Sequence, residues 1–270
     1  MHTHFEFPMR QVLWTLTFAA QLVLLVVLLG RDRARRYPWF TAGIALAALQ
    51  LMAEVLLSGR MAILPLQTIL LTLADLGAIL ALLVLVEVAR RAFAGVPRSL
   101  WIVNTVGLLA VAGIGLIFWG PWPAGKDLAL GSTLGRLHLM QLAALKGNLL
   151  MNLLTVELGL LVVLFGRHFK AGWRSHTQMI SIGLSTVAIS WLVVQAVVQF
   201  IVKTAHPQSR AEYGRVLDLI TRLLNANKLM YLAALVWWIV WLWLDEPGTA
   251  KPEPEPTESP LQEEPPLAAG

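Results

Sequence analysis

The sequence predicts an all-α integral membrane protein of seven transmembrane helices. Three observations carry that prediction. Apolar residues make up 57% of the chain and charged residues only 14%, where a soluble domain carries about 25% charged residues. Seven apolar stretches each approach the roughly 20 residues that a helix needs to cross a bilayer core. The short loops between them are alternately basic and mixed in composition.

The spans fall at about 11–30, 38–57, 62–88, 99–119, 148–166, 178–202 and 227–244. The first is not a cleaved signal peptide: its leading segment has one arginine, the flank behind it has Arg31, Arg33, Arg35 and Arg36, and no small-residue cleavage site follows. The loop after the third span holds Arg90, Arg91 and Arg98, and the loop after the fifth holds Arg167, Lys170 and Arg174. Basic residues concentrate on the cytoplasmic side of short loops. The N-terminus is therefore expected outside and the C-terminus inside, in a cell membrane. Trp14, Trp119 and Trp122 then mark the outer interface, and Trp39, Trp101, Trp173, Trp241 and Trp243 the inner one, where an amphipathic ring belongs.

Two loop segments read as outer-surface amphipathic helices, the one behind Ser209 either separate or running on into span seven. Ser209 and Glu212 form a capping-box pattern, with Val216, Leu217, Ile220, Leu223 and Leu224 behind it at helical spacing. Residues 133–147 repeat the theme with Leu134, Leu137, Leu142 and Leu145. From Asp245 onward seven acids face one lysine, net −6, so the remainder of the +5 chain is +11. Proline and like charge make residues 245–270 a disordered cytoplasmic tail, expected to carry no output module.

Composition narrows the chemistry. Without cysteine there are no disulfides, thiolate metal sites, Fe–S clusters or cysteine nucleophile. His2, His4, His138, His168, His176 and His206 all lie outside the middle of a span, which argues against transmembrane haem ligation. No metal site and no cofactor is expected. The chain has no HExxH, GxSxG, P-loop or GxGxxG motif. No basic segment is interleaved with aromatics for base stacking, so nucleic acid is not an expected partner. In helix count the outline resembles bacterial seven-helix sensory modules, and topology alone does not carry function.

Polar residues inside the spans hold the candidate site, because an ionisable group at membrane depth is costly and faces the bundle interior or water. The candidates for ligand or ion binding are Glu54, Asp75, Glu157, Gln50, Asn152, Gln195 and Gln199. Gln50 and Glu54 share one face with Gly43 and Ala47; Thr68, Thr72 and Asp75 share another. Asn148, Asn152 and Thr155 line one face of the fifth span, with Glu157 on a different face. In the sixth span, Ser181, Ser185, Ala188, Leu192, Gln195, Gln199 and Lys203 make a single stripe. Asp75 and Glu157 have no basic residue at their depth and are the preferred pair. Glu87 is discounted as a rim partner of Arg91, four residues on. The alternative for each amide and hydroxyl is a structural hydrogen bond between helices.

By depth, these groups concentrate in the outer half, which predicts a polar cavity open to the outside above an apolar, tryptophan-rich inner half. The expected function is a non-enzymatic, sensor-like or accessory membrane protein. A small ligand would enter from outside, and a cytoplasmic protein partner would read the basic loops or the acidic tail. A second reading is a proton- or cation-coupled transporter, with Asp75 and Glu157 as coupling groups. A third is a membrane enzyme acting on a lipid or isoprenoid, with Glu54 and Asp75 as acid and base.

Overall fold

The computed structural model describes residues 9–58, 60–94, 97–118, 133–165, 175–205 and 209–245. These residues form α1 (Met9–Gly30), the single turn α2 (Arg33–Arg36), α3 (Pro38–Leu57), α4 (Ile63–Ala92), α5 (Arg98–Phe118), α6 (Thr133–Phe165), α7 (His176–Thr204) and α8 (Arg210–Trp243). No strand occurs among them. Of these, α1, α3, α4, α6, α7 and α8 are long and apolar enough to cross a membrane; Thr105–Phe118 of α5 is a shorter apolar helix. Many large apolar side chains point outward, Val26, Leu29, Ile79, Leu164 and Val193 among them. Such a surface suits a protein whose solvent is lipid.

One boundary differs from the sequence expectation: residues 133–147 are the first half of α6, not a separate surface helix. The segment behind Ser209 is the first half of α8, running on into span seven as one of the two expected arrangements. Gly147, a natural stop signal, lies within α6. A Cβ there would meet the Ala78 Cβ at 3.4 Å, so this glycine serves close packing on α4. At 33 and 34 residues, α6 and α8 run about 50 Å, well past a hydrocarbon core of about 30 Å. The Ser209 cap forms, its Oγ accepting the Glu212 amide at 3.2 Å. The acidic stretch beyond Asp245, the loop holding Arg167, Lys170 and Arg174, and Trp119, Trp122 and Trp173 lie outside the described residues.

The helices α1, α3, α4, α6, α7 and α8 close a ring in that order, with α8 returning to α1, while α5 packs on α6 from outside the ring. Adjacent members of the ring are not all antiparallel. Gly147 approaches Ala78, and one turn or two further along both helices Met151 and Leu154 pack near Leu85, so α4 and α6 run in the same direction. Likewise Gln21 meets Tyr231 and Arg31 meets Trp243, so α1 and α8 are parallel.

The main core occupies one end of this ring, the end that carries α2 and the last turns of α4 and α8. Leu24, Leu28, Tyr37, Phe40, Val88, Ile180, Leu235, Trp238 and Leu242 are almost wholly enclosed there. Phe40 meets Trp238 edge-on, centroids 5.2 Å apart, the geometry aromatic quadrupoles favour. Two polar pairs lie in this core: Tyr37 Oη and Thr177 Oγ1 are 2.8 Å apart, and the Phe40 amide donates to Glu87 Oε2 at 3.0 Å; Trp238 Nε1 is buried without a hydrogen-bond partner. Glu87 is buried and caps the first turn of α3, while the Arg91 charge expected beside it also acts on it. The Arg91 guanidinium donates to the Arg36 carbonyl and lies 4.9 Å from the centre of the Tyr37 ring.

Candidate functional site

Above that core the ring encloses a cavity of about 410 Å³, within the range of small-molecule sites. Its space has a cause in the sequence. Gly43 and Ala47 of α3, Ala74, Gly77 and Ala81 of α4, and Ala188 of α7 all line it, with Val84 and Gln50 packed against the two glycines. Close-packed interiors leave such voids only where small residues face one another.

The cavity has two chemically distinct ends. At about 1.5 Å per residue from the core end, Phe40, Ile44, Trp238 and Val84 lie roughly 3–12 Å along their helices. Gln50, Tyr231, Asn152 and Asn148 lie roughly 18–25 Å along by the same count. The floor is therefore aromatic and aliphatic, and the far end carries amides and a phenol. None of the lining residues is an Asp, Glu, Lys, Arg or His.

The polar groups at the far end keep hydrogen-bonding capacity unused, and all but Asn148 are held by a neighbour. Gln50 Nε2 donates to the Leu73 carbonyl at 2.5 Å, tying α3 to α4 and leaving Oε1 as an acceptor. Asn152 Nδ2 donates to the Asn148 carbonyl one turn earlier at 2.7 Å, which leaves its Oδ1. The Asn148 side-chain amide makes no hydrogen bond among the described residues. Thr155 Oγ1 bonds back to the Met151 carbonyl at 2.6 Å. Tyr231 Oη accepts from Gln21 Nε2 at 3.1 Å, across from α1; Gln21 is fully enclosed and its Oε1 has no partner.

Of the seven residues singled out in the sequence, the cavity brings together Gln50 and Asn152. Glu54, Asp75, Glu157, Gln195 and Gln199 are not among its lining residues. Glu54 is exposed near the far end of α3, and Asp75 is half-buried on the stripe of Thr68 and Thr72, both exposed. On α4 the cavity is faced by Ala74, Gly77 and Ala81 instead. Glu157 lies on the α6 face of Leu150 and Leu153, which pack toward α5; its Oε2 is buried without a hydrogen-bond partner. Gln195 and Gln199 are half-buried and continue the α7 stripe two and three turns beyond Ala188. The three carboxylates thus stand on three different helices, outside the lining of this cavity.

Several other polar residues hold helices together. Ser185 Oγ reaches the Thr155 carbonyl of α6 at 3.0 Å, Ser190 Oγ and Asn227 Oδ1 join α7 to α8 at 3.0 Å, and Trp14 Nε1 donates to the Leu51 carbonyl at 3.3 Å. Asn148, Tyr231 and Trp238 belong to the cavity and were not among the sequence candidates. The spacing of Asn148, Asn152 and Thr155 was the available signal for the first; Tyr231 and Trp238, seven apart on α8, have no distinguishing local pattern. Among the described residues, no group of three His, Asp or Glu side chains is arranged to hold a metal ion. Comparison with protein families, curated proteins and solved structures finds no match to this chain.

Proposed function

We propose that this chain is a seven-span, non-enzymatic membrane protein of the cell membrane that binds a small molecule in its central cavity and reports its occupancy to a cytoplasmic partner. The observation that carries this reading is the cavity itself: a two-ended space between five helices, with unused hydrogen-bonding capacity and no acid–base pair. None of Glu54, Asp75 and Glu157 lines this cavity, so the binding reading does not rest on acid–base chemistry, which needs groups within hydrogen-bond reach of one reacting centre.

Support for a seventh span comes from the ring. Since α4 and α6 run the same way, the chain between them has to travel back along the bundle. The helix α5 starts five residues after α4 ends and is 21 residues long, about 31 Å, enough to cross a hydrocarbon core. With the basic end of the ring in the cytoplasm, the N-terminus lies outside and the C-terminus inside. Contact between the two charged parts supports a readout on that face. Asp245, first of the acidic stretch, lies 3.6 Å from the Arg31 guanidinium and 3.3 Å from that of Arg33.

Reconstitution into liposomes tests the reading. The protein is expected to conduct neither protons nor small solutes. Flux that Asp75→Asn or Glu157→Gln abolishes would replace this reading with the coupled transporter.

A further inference from the structure

Resting on that reading, we infer that the occupant of the cavity is an uncharged amphiphile: a small molecule with a neutral hydroxyl or amide head and an apolar body. The head takes the Asn148–Asn152–Gln50 end, and the body lies against Phe40, Trp238 and Val84.

Charge is excluded first. No ionised side chain lines the space, and the surrounding ring is apolar. An isolated ion placed there would lose its hydration without a counter-charge, a cost of several kcal/mol or more. A neutral polar group escapes this cost if it finds hydrogen-bond partners, and the far end supplies them. Gln50 Oε1 and Asn152 Oδ1 are acceptors left over once their amide nitrogens are committed to backbone carbonyls. The uncommitted Asn148 amide adds two donors and an acceptor. A hydroxyl or primary amide both donates and accepts, and so it matches this set. A purely accepting group would leave the two spare acceptors unanswered.

The other end fixes the remainder of the molecule. Its walls are aromatic and aliphatic, and its floor is closed by the edge-on pair of Phe40 and Trp238. The roughly 15 Å between floor and amides, at 1.5 Å per residue, accommodates an extended chain or a short isoprenoid. The volume of about 410 Å³ sits near the small end of ligand sites, which excludes an intact two-chain lipid.

The test uses full-length protein in nanodiscs and three probes of unbranched ten-carbon chain: decanol, decanoate and decyltrimethylammonium. Thermal unfolding is followed against probe concentration. Decanol is expected to raise the unfolding temperature saturably, at concentrations where the two charged probes give no saturable effect. Asn148→Leu should weaken the decanol response by about three- to tenfold, the effect of one lost hydrogen bond. Ala188→Phe, or Ala47→Leu on the facing wall, should abolish the response by filling the space. Saturation by decanoate or decyltrimethylammonium at or below the decanol concentration overturns the neutral class while leaving the cavity as a binding site. A decanol response unchanged in both filled variants, or no saturable response to any probe, overturns the cavity reading itself.

Discussion

The Phe40 amide donates to the Glu87 carboxylate at 3.0 Å, joining the first turn of α3 to the end of α4 beneath the cavity floor. The first amides of a helix have no partner within it, and Pro38 leads this one. Glu87 supplies an acceptor where no water reaches. Glu87→Ala strands a buried donor and is expected to cost about 1–3 kcal/mol of stability. Glu87→Gln keeps an acceptor and should cost less. Thermal unfolding in detergent micelles reads both, and an Ala variant as stable as the parent would refute the capping role.

Gly183 of α7 lies directly against the Trp238 indole. A Cβ at this position would fall 2.3 Å from Trp238 Nε1, and that ring is almost fully buried. Gly183→Ala is expected to destabilise the bundle by about 1–3 kcal/mol through overpacking. Combining it with Trp238→Leu should return part of that loss, and the double-mutant cycle measures the coupling directly. Additive effects would mean that the two sites do not touch.

Where α6 crosses α7, glycine and serine play unequal parts. Ser185 Oγ donates to the Thr155 carbonyl at 3.0 Å, an interhelical bond of a kind that contributes about 0.6 kcal/mol. Gly159 sets the separation itself, for a Cβ there would fall 1.8 Å from Ser185 Oγ and 2.6 Å from its Cβ. Ser185→Ala should therefore be mild and Gly159→Ala clearly worse. Chemical unfolding of the two variants side by side decides it, and the reverse order would rule out the close approach.

Orientation can be read by labelling, since the chain has no cysteine and any introduced thiol is unique. Ser58 follows α3 and Arg35 lies in α2, at opposite ends of the ring, and both are exposed. With a membrane-impermeant maleimide on intact cells, Ser58→Cys should label and Arg35→Cys should label only after permeabilisation. The opposite pattern inverts the bundle and turns the polar end of the cavity toward the cytoplasm.

Helix identity was legible from sequence because a run such as residues 11–30 has one physical solution in lipid: every backbone group must bond within the segment. Continuity was not. The periodicity of 133–147 suits a surface helix as well as the first half of a longer one, and only the contact of Gly147 with Ala78 distinguishes them. The cavity lining was partly legible: Gln50 and Asn152, singled out because they share helix faces with small residues or other amides, line it. Asp75 and Glu157 were preferred on charge, and charge says nothing about azimuth. Which face of α4 turns inward is settled by its neighbours α3 and α6, which give the cavity Ala74 and Gly77 in place of Asp75. For Glu87 the sequence shows Arg91 four residues away, whose charge does act on it, but not the Phe40 amide on another helix.

The position of α5 has a consequence of parity. Its contacts with the ring are chiefly to α6, and it lends the cavity no side chain, so by packing alone it looks dispensable. Yet α4 and α6 stand side by side pointing the same way, and an odd number of crossings has to separate two such neighbours. On the proposed seven-span reading, losing α5 would bring α6 into the membrane from the opposite face and turn α7 and α8 over with it. On that reading the helix that contributes least to the interior decides which side of the membrane the last three helices present.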